Sequence, residues 1–416
     1  VAQTLLTIDM VTKEAMRIAH EKCQFIGTVD RQYDDSYANT GAKIGSALRV
    51  RLPNQYVRTQ GSRVMDVQEQ AETAGTITLA TQDHVDMRFN SAELALSIDE
   101  VSRRYIEPAM SVLVSGVESD FLAYATKKVY NWAGTAGTAI TDLTAPGAAR
   151  AKLNQFLAPK DGNRYIQMDS TNMGVIINGL RLTVNPSDQT SEAYREGYIT
   201  RTSMATWYEN DRLWSLTNNA DIVGTPNATS GVTDGGNQMY MYSTVASAAQ
   251  VVGSVFTMAT VYACHPETKA PYPFLKSFVV TAASTTDTTA ATGLTTFDPP
   301  IYLTGPKQNV CTKAGAKMLA SDFGTNMTFA FEGVASASYV QPLMYHKEAF
   351  QFVTADLPIM DDAAKCVRMT QDGLSLRVWQ ASDIRNDELL MRIDMLYGFA
   401  ALRPEWACRI IGSATA

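Results

Sequence analysis

Residues 97–132 limit what this chain can fold into more than any other stretch. They open with Ser97-Ile98-Asp99-Glu100, a capping box: the Ser hydroxyl accepts from the amide three residues on, and the Glu reaches back to the Ser amide. Pro108 stops a simple continuation, because it lacks an amide proton and crowds the preceding turn. The same ring suits the first residue of a second, longer helix. From there Met110, Leu113, Val117, Phe121, Tyr124 and Lys128 recur at three- and four-residue spacing. Val114, Ala125, Val129 and Trp132 widen the stripe. At 1.5 Å per residue a helix over 108–132 is about 37 Å long, above the usual length in a globular domain. Such a helix is a backbone on which other elements hang.

With 416 residues, 45% of them hydrophobic, the chain has material for two or three domains with real cores. No stretch approaches eighteen uninterrupted apolar residues, so no membrane span is expected. The N-terminus lacks the charged-then-apolar pattern of a secretory signal, and the missing initiator Met predicts a processed or renumbered start. A net charge of −7 gives no overall pull toward nucleic acid. The five cysteines are Cys23, Cys264, Cys311, Cys366 and Cys408. They are odd in number and none has a close Cys neighbour, which argues against a disulfide framework or a Cys-based zinc site and fits a reducing cytoplasm.

In chain order, residues 4–25 read as an amphipathic helix with Leu5, Ile8, Val11, Ala15 and Ile18 on one side. In Ala47-Leu48-Arg49-Val50-Arg51-Leu52 apolar residues alternate with arginine, a half-buried strand. A second alternation sets Ile77, Leu79, Val85, Met87 and Phe89 against Thr78, Gln82, His84, Asp86 and Arg88. A polar run rich in Gln, Arg and Gly lies between them, so the pair reads as a long two-stranded excursion. A two-stranded ribbon is marginal alone in water, so it either folds back on its own core or lies on another molecule.

An α/β region follows, with a helix expected at 149–157, a strand at 174–178 and a helix near 191–197. From about residue 220 to 308 the chain is dominated by Thr, Ser, Ala and Gly with short β-type runs. These read as a small all-β sandwich or barrel inserted into the α/β part. A helix is expected at 313–323, then strands at 350–354, 374–379, 389–397 and 406–411. Those strands predict an antiparallel sheet on which the long helix packs.

Chemistry is sparse. His20, His84, His265 and His346 show no metal-ligand spacing, and nucleophile-elbow, P-loop and dinucleotide signatures are missing. The acidic pairs Asp34-Asp35, Asp361-Asp362 and Glu209 with Asp211 could in principle serve glycoside hydrolysis, but adjacent acids in loops are ordinarily solvated turn residues. His265-Pro266-Glu267 reads as a turn. Tyr240, Tyr242 and Tyr262 read as cross-strand packing rather than a sugar-binding face, and Trp207-Tyr208 and Trp379 as packing residues. Strong architecture with little chemistry indicates a structural protein; no catalytic residue, cofactor or metal is expected.

The order of elements resembles the major capsid proteins of tailed double-stranded DNA phages. It is most similar to the coat proteins of short-tailed enterobacterial phages, which carry an inserted β-domain. The segments that carry the likeness are Arg104-Tyr105-Ile106-Glu107-Pro108-Ala109-Met110 and Tyr194-Arg195-Glu196-Gly197-Tyr198. The strongest is the ending, Met391-Arg392-Ile393-Asp394-Met395-Leu396-Tyr397-Gly398, then Leu402-Arg403-Pro404 and Ala407-Cys408-Arg409.

The resemblance implies an α+β fold. Its parts are an N-terminal arm (1–42), an extended β-hairpin loop (43–96), a spine helix with peripheral domain (97–148) and an axial domain (149–221, continued at 309–345). An inserted β-domain (222–308) and a peripheral sheet with the C-terminus (346–416) complete it. It also implies hexamers and pentamers in an icosahedral shell around double-stranded DNA, with a portal at one vertex; the sequence leaves open whether a decoration protein binds. No large scaffolding segment is seen at the N-terminus, so a separate scaffolding protein is implied, unless such a segment was already removed. The location implied is the virion, after assembly in the host cytoplasm, with no membrane.

Some shells of this type are joined covalently through a hairpin lysine, yet no lysine occurs here between Lys43 and Lys127. A non-covalent shell is therefore expected, with Arg49, Arg51, Arg58 and Arg63 as candidates for charge-assisted bonds to neighbours. Pro108 is expected to act as the joint between hairpin and spine, and the insertion as an intramolecular brace, with a platform for a decoration protein as the second role. The acidic balance predicts an inner face that is not strongly basic. The competing readings are a carbohydrate-active enzyme with an appended β-domain and a monomeric carbohydrate- or partner-binding module.

Overall fold

The computed structural model describes residues 8–31, 47–61, 65, 67, 73–90, 102–180, 201–202, 205–219, 223–226, 232–242, 248–285, 293–323, 327–359, 365–371, 373–383 and 388–412. Two compact units emerge, the first from 1–51, 74–122 and 350–402 and the second from 52–73, 123–349 and 403–416. Helices and extensive sheets are mixed in an α+β arrangement.

In the first unit the helix Ile8–Lys22 buries Val11, Ala15, Met16, Ile18 and Ala19. On its other side Arg17 bridges Glu14 and Glu21 at 2.7 and 2.9 Å. The long helix is Glu107–Lys128, 22 residues, about 33 Å at 1.5 Å per residue. A π-helical turn, Ser102–Ile106, leads straight into it. Pro108 is therefore its second residue and does not separate two helices; an amide proton is dispensable in a first turn. The capping box at 97–100 lies outside the described residues.

The buried face of this helix carries Met110, Leu113, Val114, Val117, Phe121 and Leu122, as the periodicity predicts, but also Glu118 at 0% exposure. Phe121 stacks on Phe399 with ring centroids 5.1 Å apart and meets Phe25 at 4.8 Å, Phe352 at 5.6 Å and Phe350 at 6.5 Å. Glu118 Oε1 accepts from the backbone N–H groups of Gln24 (3.0 Å) and Phe25.

Beneath it lies an antiparallel sheet of Phe350–Ala355, Lys365–Gln371, Leu374–Asp383 and Glu388–Ala401. The expected hairpin is divided. Ala47–Leu52 pairs with Thr73–Thr78, while Thr81–Asn90 pairs along its whole length with Glu388–Ala401, from Asn90↔Glu388 to Thr81↔Tyr397. The second alternation thus serves two strands, and its longer part belongs to the C-terminal sheet. Val50 and Ile77 bury the hairpin base against Val353 and Ala400. Gly398 is required there, since a Cβ would lie 2.2 Å from Thr78 O.

In the second unit a six-stranded sheet runs Trp132–Gly134, Ala407–Ile411, Leu343–His346, Arg164–Met168, Ala205–Glu209, Arg201–Thr202. The long helix ends at Lys128 and Trp132 is a strand residue, because Arg409↔Trp132 to Ile411↔Gly134 pair in parallel. Asn131 Nδ2 also donates to the carbonyls of Glu405 and Ala407. Pairing with a distant strand overrides the helical periodicity. The last expected strand, 406–411, accordingly belongs to this sheet and not to the one formed by 350–401. The helix Thr144–Gln155 covers the sequence expected to be helical at 149–157. The strand expected at 174–178 is instead part of the helix Ser170–Leu180, started by Asp169, whose Oδ2 accepts from Asn172 N at 3.1 Å. Residues 191–197 lie outside the described residues.

The inserted sequence is a closed six-stranded barrel. Pro271–Val280 pairs with Leu294–Ile301, which pairs with Gly236–Tyr242, then Val223–Pro226, Phe329–Phe331, Val255–Cys264 and back to Pro271–Val280. Phe256, Phe278, Phe297, Phe329 and Phe331 fill it. Closure removes exposed sheet edges. The expected boundary at 308 falls short, because the closing strand lies beyond it. The helix expected at 313–323 is only a 3-10 turn at Ala320–Asp322. That segment places Met318 and Phe323 in the barrel core, with Met327 just after it.

A fragment of residues 222–331 is expected to give a dispersed amide NMR spectrum and a fragment of 222–308 a collapsed one. Equal dispersion would show that Phe329–Phe331 is not the closing strand. Glu118→Ala leaves buried N–H donors unpaired and is expected to cost about 2–4 kcal/mol in urea unfolding, more than Glu118→Gln. A loss below about 0.5 kcal/mol would exclude an anchoring role.

Candidate assembly surfaces

The arginines expected to make contacts lie on and just beyond the first hairpin strand. Arg49, Arg51 and Arg58 are all exposed. Arg51 already holds an interaction within the chain. Arg63 lies outside the described residues. Pro108 is exposed on the first turn of the long helix.

The edge strand Thr81–Asn90 carries a row of polar contacts that alternation alone did not pair. Arg392 holds Asp86 with Nε–Oδ1 2.7 Å and Nη2–Oδ2 3.0 Å, and that hydrogen bond keeps the Asp86 carboxyl below its usual range. Arg88 meets Glu388 at 3.2 Å, and Tyr397 Oη donates to Asp83 at 2.8 Å. Burial first, and then the Asp83 contact, raise the Tyr397 phenol. Asp394, at 0% exposure, accepts from Gln82 Nε2 at 3.0 Å and from Arg377, whose Nε lies at 3.0 Å from Oδ1 and whose Nη2 bonds Oδ2. The motif Met391 to Gly398 is thus explained: its Arg, Asp and Tyr meet partners on Thr81–Asn90, and its Gly admits the backbone of Thr78. The sequence signal was charge of opposite sign at matching alternation on the two strands.

The barrel is fastened to the rest of the second unit by buried cations and rings. Lys276, 4% exposed, sits over Tyr130 and Phe156 with Nζ 4.6 and 4.9 Å from the ring centres. Lys152 lies 3.2 Å from the centre of Phe274. Burial lowers each lysine to about 8. Tyr272 Oη donates to Gln155 O at 2.7 Å, Lys128 meets Asp298 at 3.3 Å, and Arg409 Nη1 donates to Gly253 O at 2.6 Å. Arg409 is fully buried, which lowers it to about 9.

Groups considered for catalysis have structural surroundings. Asp211 Oδ1 accepts from Ser170 N (3.1 Å) and Oγ (2.7 Å), and these bonds hold its carboxyl low, opposite to what a general acid needs. Glu209 is exposed, and Asp34, Asp35, Asp361 and Asp362 lie outside the described residues. His265 Nδ1 accepts from the amides of Glu267 and Thr268, the expected turn. His346, 1% exposed, pairs with Asp161 at 3.0 Å. Desolvation pushes Asp161 up, but bonds from Asn163 and His346 outweigh it and bring it to about 2. Tyr240 and Tyr262 stand opposite Leu294 and Cys311. Trp207 is fully buried in the core of the six-stranded sheet. All five cysteines are free thiols, and burial raises Cys264, Cys311 and Cys408, the reverse of an activated nucleophile. Among the described residues no cluster of three His, Cys, Asp or Glu could hold a metal ion.

The sequence pattern of the P22 coat protein family, described as P22 coat protein, gene protein 5, matches residues 72–412. No curated protein sequence matches the chain. Similar solved structures include that of Mycobacterium phage Che8, at 11% identity, with 93% of this chain and 90% of that chain covered and a TM-score of 0.49. The capsid of the cyanophage P-SCSP1u shows 11% identity, 89% and 85% coverage and a TM-score of 0.45. The acid-stable capsid of the Helicobacter pylori bacteriophage KHP30 shows 9%, 90%, 86% and 0.39 in the same order. Likenesses this distant carry no weight of their own, and the assignment rests on the match along 72–412. By that match the chain belongs to the P22 coat protein family and is a structural, shell-forming major capsid protein of an icosahedral bacteriophage capsid.

Proposed function

We propose that the chain builds a shell of hexamers and pentamers held by non-covalent contacts around packaged double-stranded DNA, without enzymatic activity of its own. The carrying observation is the family match over most of the chain. The missing lysines between Lys43 and Lys127 support the non-covalent part, since the hairpin tip has no amine to join to a neighbour. Arg49, Arg51, Arg58 and Arg63 make charge-assisted contacts to carboxylates of adjacent subunits, for which a guanidinium fork suits better than an ammonium. Thr81–Asn90 pairs on one side only among the described residues, and its other edge offers backbone groups to a neighbouring copy. Assembly takes place in the host cytoplasm on a separate scaffolding protein, with a portal at one vertex and a decoration protein as a further partner. Pro108, next to the junction of π turn and α-helix, is the joint between hairpin and spine that admits both pentamer and hexamer settings. The barrel is an intramolecular brace, as its buried fastenings support.

Purified material is expected to form closed shells in electron microscopy, and denaturing gels of mature particles to show a single band at the mass of one subunit. A ladder of covalent multimers would overturn the non-covalent reading, and a stable monomer that never assembles would overturn the shell itself. The brace predicts a pH signature. Between pH 8 and 9 the unfolded chain keeps protons on Lys276 and Lys152 that the folded chain has begun to release, so stability rises with pH. The rise is about 1 kcal/mol for Lys276, or about 1 °C in unfolding midpoint for a chain of this length. Above pH 9 the buried thiols of Cys264 and Cys408, which ionise only in the unfolded chain, offset this rise, and the lysine contribution levels off near pH 10.5, where the unfolded lysines also lose their protons. Lys276→Met is expected to reduce the rise, and an identical profile in that variant would count against the fastening.

A further inference from the structure

The second unit holds a cavity of about 500 Å³, within the usual range for small-molecule sites. Its wall combines Leu52, Pro53, Pro299 and Pro300 with the rings of Tyr130 and Phe156. Three lysines reach it, and their states differ. Lys269 is saturated: Nζ donates to the carbonyls of Pro266 (2.6 Å), Pro306 (2.5 Å) and Gln308 (3.3 Å). Lys307 donates to Thr73 Oγ1 at 2.7 Å. Lys276 is more than nine-tenths buried, rests on two aromatic faces, and has no hydrogen-bond acceptor among the described residues.

An ammonium so placed has lost most of its hydration, and ring faces return only part of that cost. Three N–H bonds remain to be satisfied from within the cavity. The acid lining the same cavity is Glu405; it influences Lys276 through space but does not come within salt-bridge distance. Burial raises the Glu405 carboxyl, which weakens its standing as a competing anion. Arg403, stacked 4.2 Å over Trp406, adds positive charge to the lining. The cavity therefore offers one buried lysine whose ammonium has no acceptor among the described residues, beside a proline-rich stretch of a wall that elsewhere carries the amides of Asn54, Gln55, Gln308 and Asn309.

We propose that this cavity binds a small organic carboxylate, its acid group on Lys276 Nζ and its apolar body against Leu52, Pro53, Pro299 and Pro300. Charge and shape act together: a bare anion cannot use the apolar residues of the wall, and a neutral amide can accept an N–H bond but leaves the charge of the ammonium uncompensated.

Ligand-observed NMR on full-length subunits tests this with 4-phenylbutyrate, 4-phenylbutanamide and inorganic phosphate as probes. The carboxylate is expected to bind saturably and at least about tenfold more tightly than either of the others, a 1.4 kcal/mol difference. Lys276→Met should remove that preference, and Lys276→Arg should retain it. Equal binding of acid and amide, equal binding of phosphate, or no saturation of the acid by about 10 mM would overturn the proposal. The comparison of three probes on the unaltered protein decides the matter even if the Met variant does not fold.

Discussion

Burying a carboxylate beside a cluster of five aromatic rings constrains the first unit more than any other contact. Glu118 lies one turn before Phe121 on the face of the long helix that meets Phe25, Phe350, Phe352 and Phe399. Desolvating the acid is tolerable only because the N–H groups of Gln24 and Phe25 point at it, at the start of a short helix whose amides would otherwise be orphaned. The segment after the N-terminal helix and the long helix therefore satisfy each other. The polar bond sets where Phe25 enters the cluster, and the cluster excludes the water that would compete for the bond.

The second unit solves a different problem. A barrel inserted into an α/β sheet must be held firmly without a large second core. The solution is a few cations on ring faces or backbone carbonyls: half-buried Lys152 on Phe274, buried Lys276 on Tyr130 and Phe156, buried Arg409 on Gly253. Each has lost hydration, as the lowered proton affinities record. For a subunit that must join many copies, bonding of this kind defines the position of the insertion more sharply than apolar contact, since it depends on direction and distance.

Much of this was legible in the residues. The stripe from Met110 to Phe121 located the buried face of the long helix, and the turn at His265-Pro266-Glu267 and the β-character of the insertion were local properties. The ends of elements were less legible. Nothing local told that Trp132 would leave the helical register for a strand, because its partner lies far along the chain; the helix through Gly174-Val175-Ile176-Ile177 did have a local sign, Asp169 at its N-cap, which the short apolar run concealed. The two halves of the alternation from Ile77 to Phe89 look alike, yet Thr73–Thr78 and Thr81–Asn90 pair with different partners. The assembly residues were the least legible of all, for an exposed arginine carries no mark of what it will meet.

Residue order by itself determined the family, the presence of a long buried helix, the inserted β-region and the absence of an amine at the hairpin tip. These follow from periodicity, composition and motif order, which are written locally. Only the tertiary structure decided that Arg377 and Gln82 converge on the buried carboxylate of Asp394, that the barrel closes through Phe329–Phe331, and that Lys276 is left facing a cavity. Such facts depend on which distant segments meet, and the free energy of a buried charge is set by those neighbours rather than by the residue that carries it.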